Sequence, residues 1–246
     1  MKIVFLGTGH GVPSAERACS AAMIEVGGAI YYVDAGCAMV ERTLAAGRQI
    51  GNIRAVFNTH CHTDHILGAV HLADLFNWYY KDFGIDLYLP EQSVIDGIKG
   101  LIAATTRPID GERIRFHKSA AGEIYRDENV TVSLYPTGHI ASVGRPSYGV
   151  LIEGEGKRVY FSGDMSQWLG ENDFPTEIAG SGLDLFVVEF AHFRSEHLFP
   201  HLAGVNARVV AFNHVYPLDK YGELEGIRGK YPFEVLTPDD MTEIEI

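Results

Sequence analysis

Six consecutive residues, His60-Cys61-His62-Thr63-Asp64-His65, follow an apolar run at 55–58 and lead into a segment with helical periodicity. Four metal-competent side chains where a buried strand meets a helix call for a fold whose strand ends converge on one point. In an extended segment, side chains two apart point the same way, so His60 and His62 can grip one cation while Cys61 turns into the protein body. Asp64 and His65 fall at the helix entry and can face a second cation. Four donors in six residues crowd a single small tetrahedral ion, which favours two ions. The run is internal and interrupted, unlike an expression tag.

Short apolar runs at 2–6, 22–26, 30–33, 55–58, 86–89, 130–135, 148–152, 158–162, 183–188 and 208–213 predict buried strands. Gly27-Gly28 and Gly154-Glu155-Gly156 are hairpin-turn signals between neighbouring strands. Helical periodicity covers 38–46, 64–78, 91–104 and 195–203, the last with Ser195 as expected N-cap and Gly204 just past its end. Strands and helices alternate, but hairpins are mixed in, which predicts an α/β chain with mixed sheets. With no fixed-period repeat, low-complexity run or linker, residues 1–246 read as one domain, near the length of roughly 250 at which single cores stop growing.

Three later residues complete the set. His139 lies beyond the strand 130–135, Asp164 beyond the strand ending at 162, and His214 beyond the strand starting at 208. Each is the first metal-competent residue after its strand, so four strand ends can aim at one place. Alone, any of them would read as a plain loop residue; the joint pattern is far more specific.

This pattern resembles the metallo-β-lactamase superfamily over nearly the whole chain: Gly7-Thr8-Gly9 after the first strand, Val33-Asp34-Ala35-Gly36, the His-x-His-x-Asp-His run, and the three later residues in order. The resemblance implies a four-layer αββα sandwich with two metals at one edge. It implies His60, His62 and His139 on one ion, Asp64, His65 and His214 on the other, and Asp164 bridging, with Asp34 supporting the ligands from behind. The nearest likeness is to the ribonuclease Z group. Phe5-Leu6-Gly7-Thr8-Gly9-His10-Gly11-Val12-Pro13-Ser14, with Arg17 and Cys19-Ser20, is similar to that group's opening, although His10 stands where a small polar residue is expected. Glu189 and His192 resemble the pair that group uses near the leaving group, which makes them, with Asp64, the catalytic candidates; His197 and His201 are rivals within the predicted helix. One feature departs. Asp164 follows His139 by only 25 positions, and two strands fill most of them, so the tRNA-gripping arm of ribonuclease Z has no room.

The resemblance implies hydrolysis by a hydroxide held between two dications about 3.5–4 Å apart, zinc first, with manganese or iron as alternatives. The leading expectation is phosphodiesterase-like cleavage of a small or medium anionic phosphoester. The alternatives are a ribonuclease Z-like endonuclease, a thioester or lactone hydrolase, and, further off, a di-iron redox protein. With 20 basic against 32 acidic residues and a formal charge of −12, nucleic acid is a disfavoured partner. Arg145, Arg107 and the glycine-rich turn at 7–11 are candidate anion cradles, although each arginine also fits an ordinary surface residue. Three cysteines without a framework point to a reducing compartment, and no secretory or membrane-length apolar run is visible, so a cytoplasmic protein is expected. The aromatic stretch at 72–80 reads as core or as a contact such as a homodimer interface, ahead of a substrate pocket.

Overall fold

The structure, a computed structural model, describes residues 1–12 and 14–246. Pro13 of the opening motif lies outside the described residues. The apolar strands show little in–out alternation, because most of them are buried on both faces. Within β1 (Lys2–Gly7), Phe5 packs between the two sheets while Leu6 packs under helices.

One sheet comprises β1, β2 (Ala21–Val26), β3 (Ala29–Val33), β4 (Ile53–Phe57), β5 (Ile85–Leu89), β6 (Ile114–Lys118) and the returning β14 (Thr242–Glu245), in the order β14-β1-β2-β3-β4-β5-β6. The other comprises β7 (Gly122–Arg126), β8 (Thr131–Pro136), β9 (Tyr148–Gly154), β10 (Lys157–Phe161), β11 (Leu183–Phe190), β12 (Ala207–Val215) and β13 (Glu234–Leu236), in the reverse of chain order. Each sheet is antiparallel on one side and parallel on the other: β3 through β6 run parallel, as do β10 through β13. Phe5, Tyr31 and Phe57 meet Val132, Val150 and Leu185 between the sheets. Helices α1 (Met39–Ala45), α2 (Thr63–Trp78) and α3 (Gln92–Thr105) cover the first sheet. The short α4 (Thr176–Ala179), α5 (Ser195–Leu202) and α6 (Lys220–Glu225) cover the second. The layers are therefore αββα, and burying one large apolar side chain in them contributes about 1.5–3 kcal/mol.

All ten expected strands and four expected helices are present, with ends moved by one or two residues. Both glycines of the Gly27-Gly28 turn take positive φ, 59° and 82°, as a tight two-residue hairpin requires. Ser195 is not the N-cap of α5: Arg194 holds that place, without a side-chain cap bond. Four strands went unpredicted, β6, β7, β13 and β14, and these are the edges of the two sheets. The aromatic stretch at 72–80 divides: Leu72 and Phe76 are core, whereas Trp78 and Tyr79 are exposed on the surface. Among the described residues, no helix is long and apolar enough to cross a membrane.

Candidate metal centre

The carboxyl ends of β3, β4, β10, β11 and β12, with the loop after β8, meet at one edge of the sandwich. Ligand sites of parallel sheets belong at such ends. After β4 the chain stays extended through His62, which is the N-cap of α2 (φ −71°, ψ 150°). His60 Nε2 and His62 Nδ1 approach to 3.0 Å, as two side chains on one side of an extended segment should. Asp64 and His65 occupy the first turn of α2, where the helix dipole favours a carboxylate. His214 sits at a bulge of β12 opposite Glu189–Phe190, with φ 52°, and the bulge re-aims its ring towards the centre.

Asp164 Oδ2 is the hub. It lies 3.7 Å from His60 Nε2, 3.6 Å from His65 Nε2, 3.7 Å from His139 Nε2, 3.9 Å from His192 Nε2 and 3.5 Å from His214 Nε2. Asp64 Oδ2 lies 3.4 Å from His65 Nε2 and 4.0 Å from His214 Nε2. His139 Nε2 comes within 3.3 Å of His62 Nδ1. The far nitrogens are fixed from behind: His65 Nδ1 donates to Asp34 Oδ2 (2.7 Å), His214 Nδ1 to the Gly9 carbonyl (3.1 Å) and His139 Nδ1 to the Met165 carbonyl (3.3 Å). Asp34, in a left-handed conformation at φ 59°, also accepts the Thr59 N–H at 2.8 Å. Such partners orient an imidazole so that its other nitrogen faces a metal.

These residues fit a pair of divalent cations. His60, His62 and His139 form one group of converging donor atoms; Asp64, His65 and His214 form another; Asp164 joins His60 and His65 in a third. His65 Nε2 is buried and has no hydrogen-bond partner, an orphaned polar atom that a cation would satisfy. Imidazole and carboxylate together suit zinc and its neighbours. Burial, with neighbouring imidazoles, holds His60 and His214 well below the ordinary histidine range, and burial pushes His139 down to about 4, so these rings are neutral donors. Burial opposes the charged form of His65 too, but Asp34 and Asp164 outweigh it and raise this ring well above its ordinary value. Burial pushes Asp164 up to about 7, a cost that a neighbouring cation reverses.

Glu189, within β11, is buried beside this cluster and ties the loop after β10 to the loop after its own strand. Its carboxylate accepts the N–H groups of Met165 (2.7 Å) and Ala191 (2.8 Å), and both its oxygens lie 3.0 Å from His192 Nδ1. His192 Nε2 is thereby left facing Asp164. Neither rival shares this place: His201 stacks on Phe174, and His197 packs against Trp168. Cys61 is buried among apolar side chains, where burial pushes its thiol up to about 12, and it belongs to no donor group. Lys220 and Asp173 gave no sequence signal. The buried Lys220 ammonium donates to the carbonyls of Phe190, Ala191 and Phe193 and so holds the loop that carries His192. Asp173 accepts the Gly138 N–H and the Ser166 N–H, bracing the loops of His139 and Asp164. Only the tertiary partners of these two reveal their roles.

Beside the cluster opens a cavity of about 690 Å³, lined by His139, Trp168, His192, Arg194, Asp219 and Lys220 among others. The expected anion cradles do not face it freely. Arg145 is paired with Glu91 at 2.7 Å, and Arg107 donates to the Asn77 carbonyl on another part of the surface. In the glycine-rich turn, the Thr8 N–H is held by Asp240 and the Gly9 N–H by the Ala18 carbonyl.

An αββα sandwich with this strand-end cluster is that of the metallo-β-lactamase superfamily, in its ribonuclease Z-like group. More narrowly, the chain belongs to the family described as "Anti-Pycsar protein Apyc1", which matches residues 1–171. A curated ribonuclease Z from Shouchella clausii is 32% identical over 148 residues, 56% of this chain and 45% of that protein. The chain spans roughly half to two thirds of the length of the curated relatives it matches. Two solved structures share the fold: YhfI from Bacillus subtilis, with a TM-score of 0.78 and 16% identity over 100% of this chain and 99% of that one, and the short form of human tRNase Z, with a TM-score of 0.76 and 18% identity over the same shares.

Proposed function

We propose that the chain is a dinuclear metal-dependent hydrolase that cleaves a small or medium phosphoester in the manner of a phosphodiesterase. The observation that carries this reading is the central position of Asp164 Oδ2, within 3.5–3.9 Å of five imidazole nitrogens. His60, His62 and His139 would hold one cation, and Asp64, His65 and His214 the other. Asp164 would touch both, with zinc the first choice and manganese or iron the alternatives. When bound, such a pair activates water and stabilises the charge that grows on phosphoryl oxygens.

The chain's own groups supply the rest. Asp64 would accept the proton of the attacking water at its carboxylate. His192, oriented through Nδ1 by Glu189, would hold a proton at Nε2 and pass it to the leaving oxygen. Residues 1–246 would act as one unit, because β14 returns to the first sheet after the second is complete. On this reading the chain would oppose Pycsar through phosphoester hydrolysis.

Ribonuclease Z-like cleavage of RNA is the reading that the curated relatives' names favour. Against it stand the formal charge of −12, the short span between His139 and Asp164, and the carboxylates Asp219 and Glu223 lining the cavity, all unfavourable to a polyanion. The test is turnover of bis-p-nitrophenyl phosphate, run beside a thioester, a β-lactam and a precursor tRNA. Diester turnover that chelator abolishes and added metal restores is expected. Turnover of the thioester alone, or diester turnover indifferent to chelator, overturns the proposal.

A further inference from the structure

His10 departs from the resemblance noted in the sequence, and the structure sets it beside the metal centre. The turn that carries it is locked to residues of that centre. The Thr8 carbonyl accepts the His214 N–H at 3.1 Å, and the Gly9 carbonyl accepts from His214 Nδ1 at 3.1 Å. On the other side of His10, a Cβ added to Gly11 would lie 2.8 Å from Asp64 Oδ2, so this backbone rests directly on a proposed ligand. The half-buried His10 ring stacks on Tyr216 (centroids 4.6 Å apart, planes 13° apart) and stands 4.8 Å from the ring of His214 and 6.0 Å from that of His192.

Its tautomer is fixed. The Val12 N–H donates to His10 Nδ1 at 3.0 Å, so that nitrogen carries a lone pair and the ring proton resides on Nε2. His10 belongs neither to the three donor groups above nor to the further group of His139, Asp164 and His192, so this N–H is not aimed at a cation. Three nearby cationic side chains are engaged elsewhere. Arg145 is paired with Glu91, Lys220 bonds three carbonyls, and Arg194 lies over Trp168 with Glu196 at 3.6 Å.

We propose that the Nε2–H of His10 donates a hydrogen bond to a non-bridging oxygen of a phosphoryl group seated on the metal centre. The inference rests on the phosphoester reading above, but it can be tested apart from it. Long-range ¹H–¹⁵N spectra of the metal-free chain at neutral pH should show His10 protonated at Nε2 only; protonation at Nδ1 overturns the proposal, whatever any variant does. Calorimetry of the zinc-loaded chain with inorganic phosphate then measures the bond. His10→Phe keeps the stack on Tyr216 but has no donor, and it should weaken phosphate about tenfold or more, the range of a hydrogen bond to a charged acceptor. His10→Gln, which restores an N–H, should recover part of the loss. Metal content and melting temperature serve as fold controls, and the Gln variant carries the comparison if the Phe variant does not fold. Phosphate binding equal in wild type and His10→Phe, or absent from the zinc-loaded wild type, overturns the proposal. Wild-type binding of phosphate without diester turnover sinks the hydrolase reading and leaves the His10 contact standing. Turnover with kcat and KM unchanged in His10→Phe does the reverse.

Discussion

Replacing Asp34 by Asn changes one atom and should weaken one of the two proposed cation sites. Asp34 Oδ2 accepts the Nδ1–H of His65 at 2.7 Å, and Oδ1 accepts the Thr59 N–H at 2.8 Å. The backbone at φ 59° suits Asn as well as Asp, so the loop keeps its shape. Asn has one carbonyl oxygen, and Thr59 presents a backbone N–H that must be accepted, so the new NH₂ faces His65. It can only donate, which requires a lone pair on Nδ1 and drives the imidazole proton to Nε2. That is the buried nitrogen without a partner, 3.4 Å from Asp64 Oδ2 and 3.6 Å from Asp164 Oδ2. A protonated nitrogen cannot bind a metal. Loss of a ligand's supporting partner typically weakens binding 10–100-fold, about 1.4–2.7 kcal/mol. Competition of the metal-free chain against a chromogenic chelator should give two tight sites in wild type and one tight, one weakened site in the variant. Two sites of wild-type affinity would refute the reasoning about tautomer and donor alike.

Other expectations follow from single contacts. Lys220→Met leaves three buried carbonyls without their donor; it should cost about 1–3 kcal/mol in urea unfolding and lower turnover, since the loop of His192 loses its anchor. An unchanged unfolding midpoint would count against that role. Cys61→Ala should lose about 1 kcal/mol of packing while metal content by elemental analysis stays at the wild-type value; a drop in metal would make the thiol a ligand after all. Asp86 is partly desolvated, which raises its pKa, but the Arg115 guanidinium and the His117 ring outweigh this and hold it below its ordinary 3.8. Its pKa is depressed on folding, so its contribution is complete above roughly pH 4–5 and fades as pH falls through the lowered value. The stability gap between wild type and Asp86→Asn, about 1 kcal/mol or less for a partly exposed pair, should therefore narrow from pH 6 to pH 3 in urea titrations. A gap that widens on acidification would reverse the sign of the argument.

What the sequence makes legible is decided by where each signal originates. Strands such as β4 and β11 are covered on both faces and read as apolar runs. The edge strands β6, β7, β13 and β14 need only one dry face or none, so residues such as Arg115, Glu123 and Glu243 break the pattern there. The proposed metal residues are legible because few side chains serve that chemistry and each follows a recognisable strand. His192 is preferred to His197 and His201 only through the resemblance and because the other two fall within the predicted helix; the terms that mark the metal residues do not separate the three. All three lie within ten residues, and it is the bond from Nδ1 to Glu189 and the approach of Nε2 to Asp164 that distinguish the first. Lys220 and Asp173 were beyond reach for the same reason: each holds backbone groups far away in the chain or across a loop, and no local pattern marks such a partnership.

The centre also lies across the seam between the sheets, which decides how its geometry is kept. Asp34, His60, His62, Asp64 and His65 come from the ends of β3 and β4 in one sheet. His139, Asp164, His192 and His214 come from the loops and ends of β8, β10, β11 and β12 in the other. Neither set is complete without the other, so the spacing of the two sheets sets the spacing of the proposed ligands. That spacing is held by Phe5, Tyr31, Phe57, Val132, Val150 and Leu185, all fully shielded from solvent. Interiors packed at crystal-like density do not deform by the fraction of an ångström that would spoil such a site. The same packing sustains left-handed backbone at two residues of the cluster, Asp34 at φ 59° in one sheet and His214 at φ 52° in the other, a strain of about 1–3 kcal/mol each. A cluster carried only by mobile loops would relax both residues and lose both aims. Here the dry layer between the sheets preorganises the donors before any cation arrives.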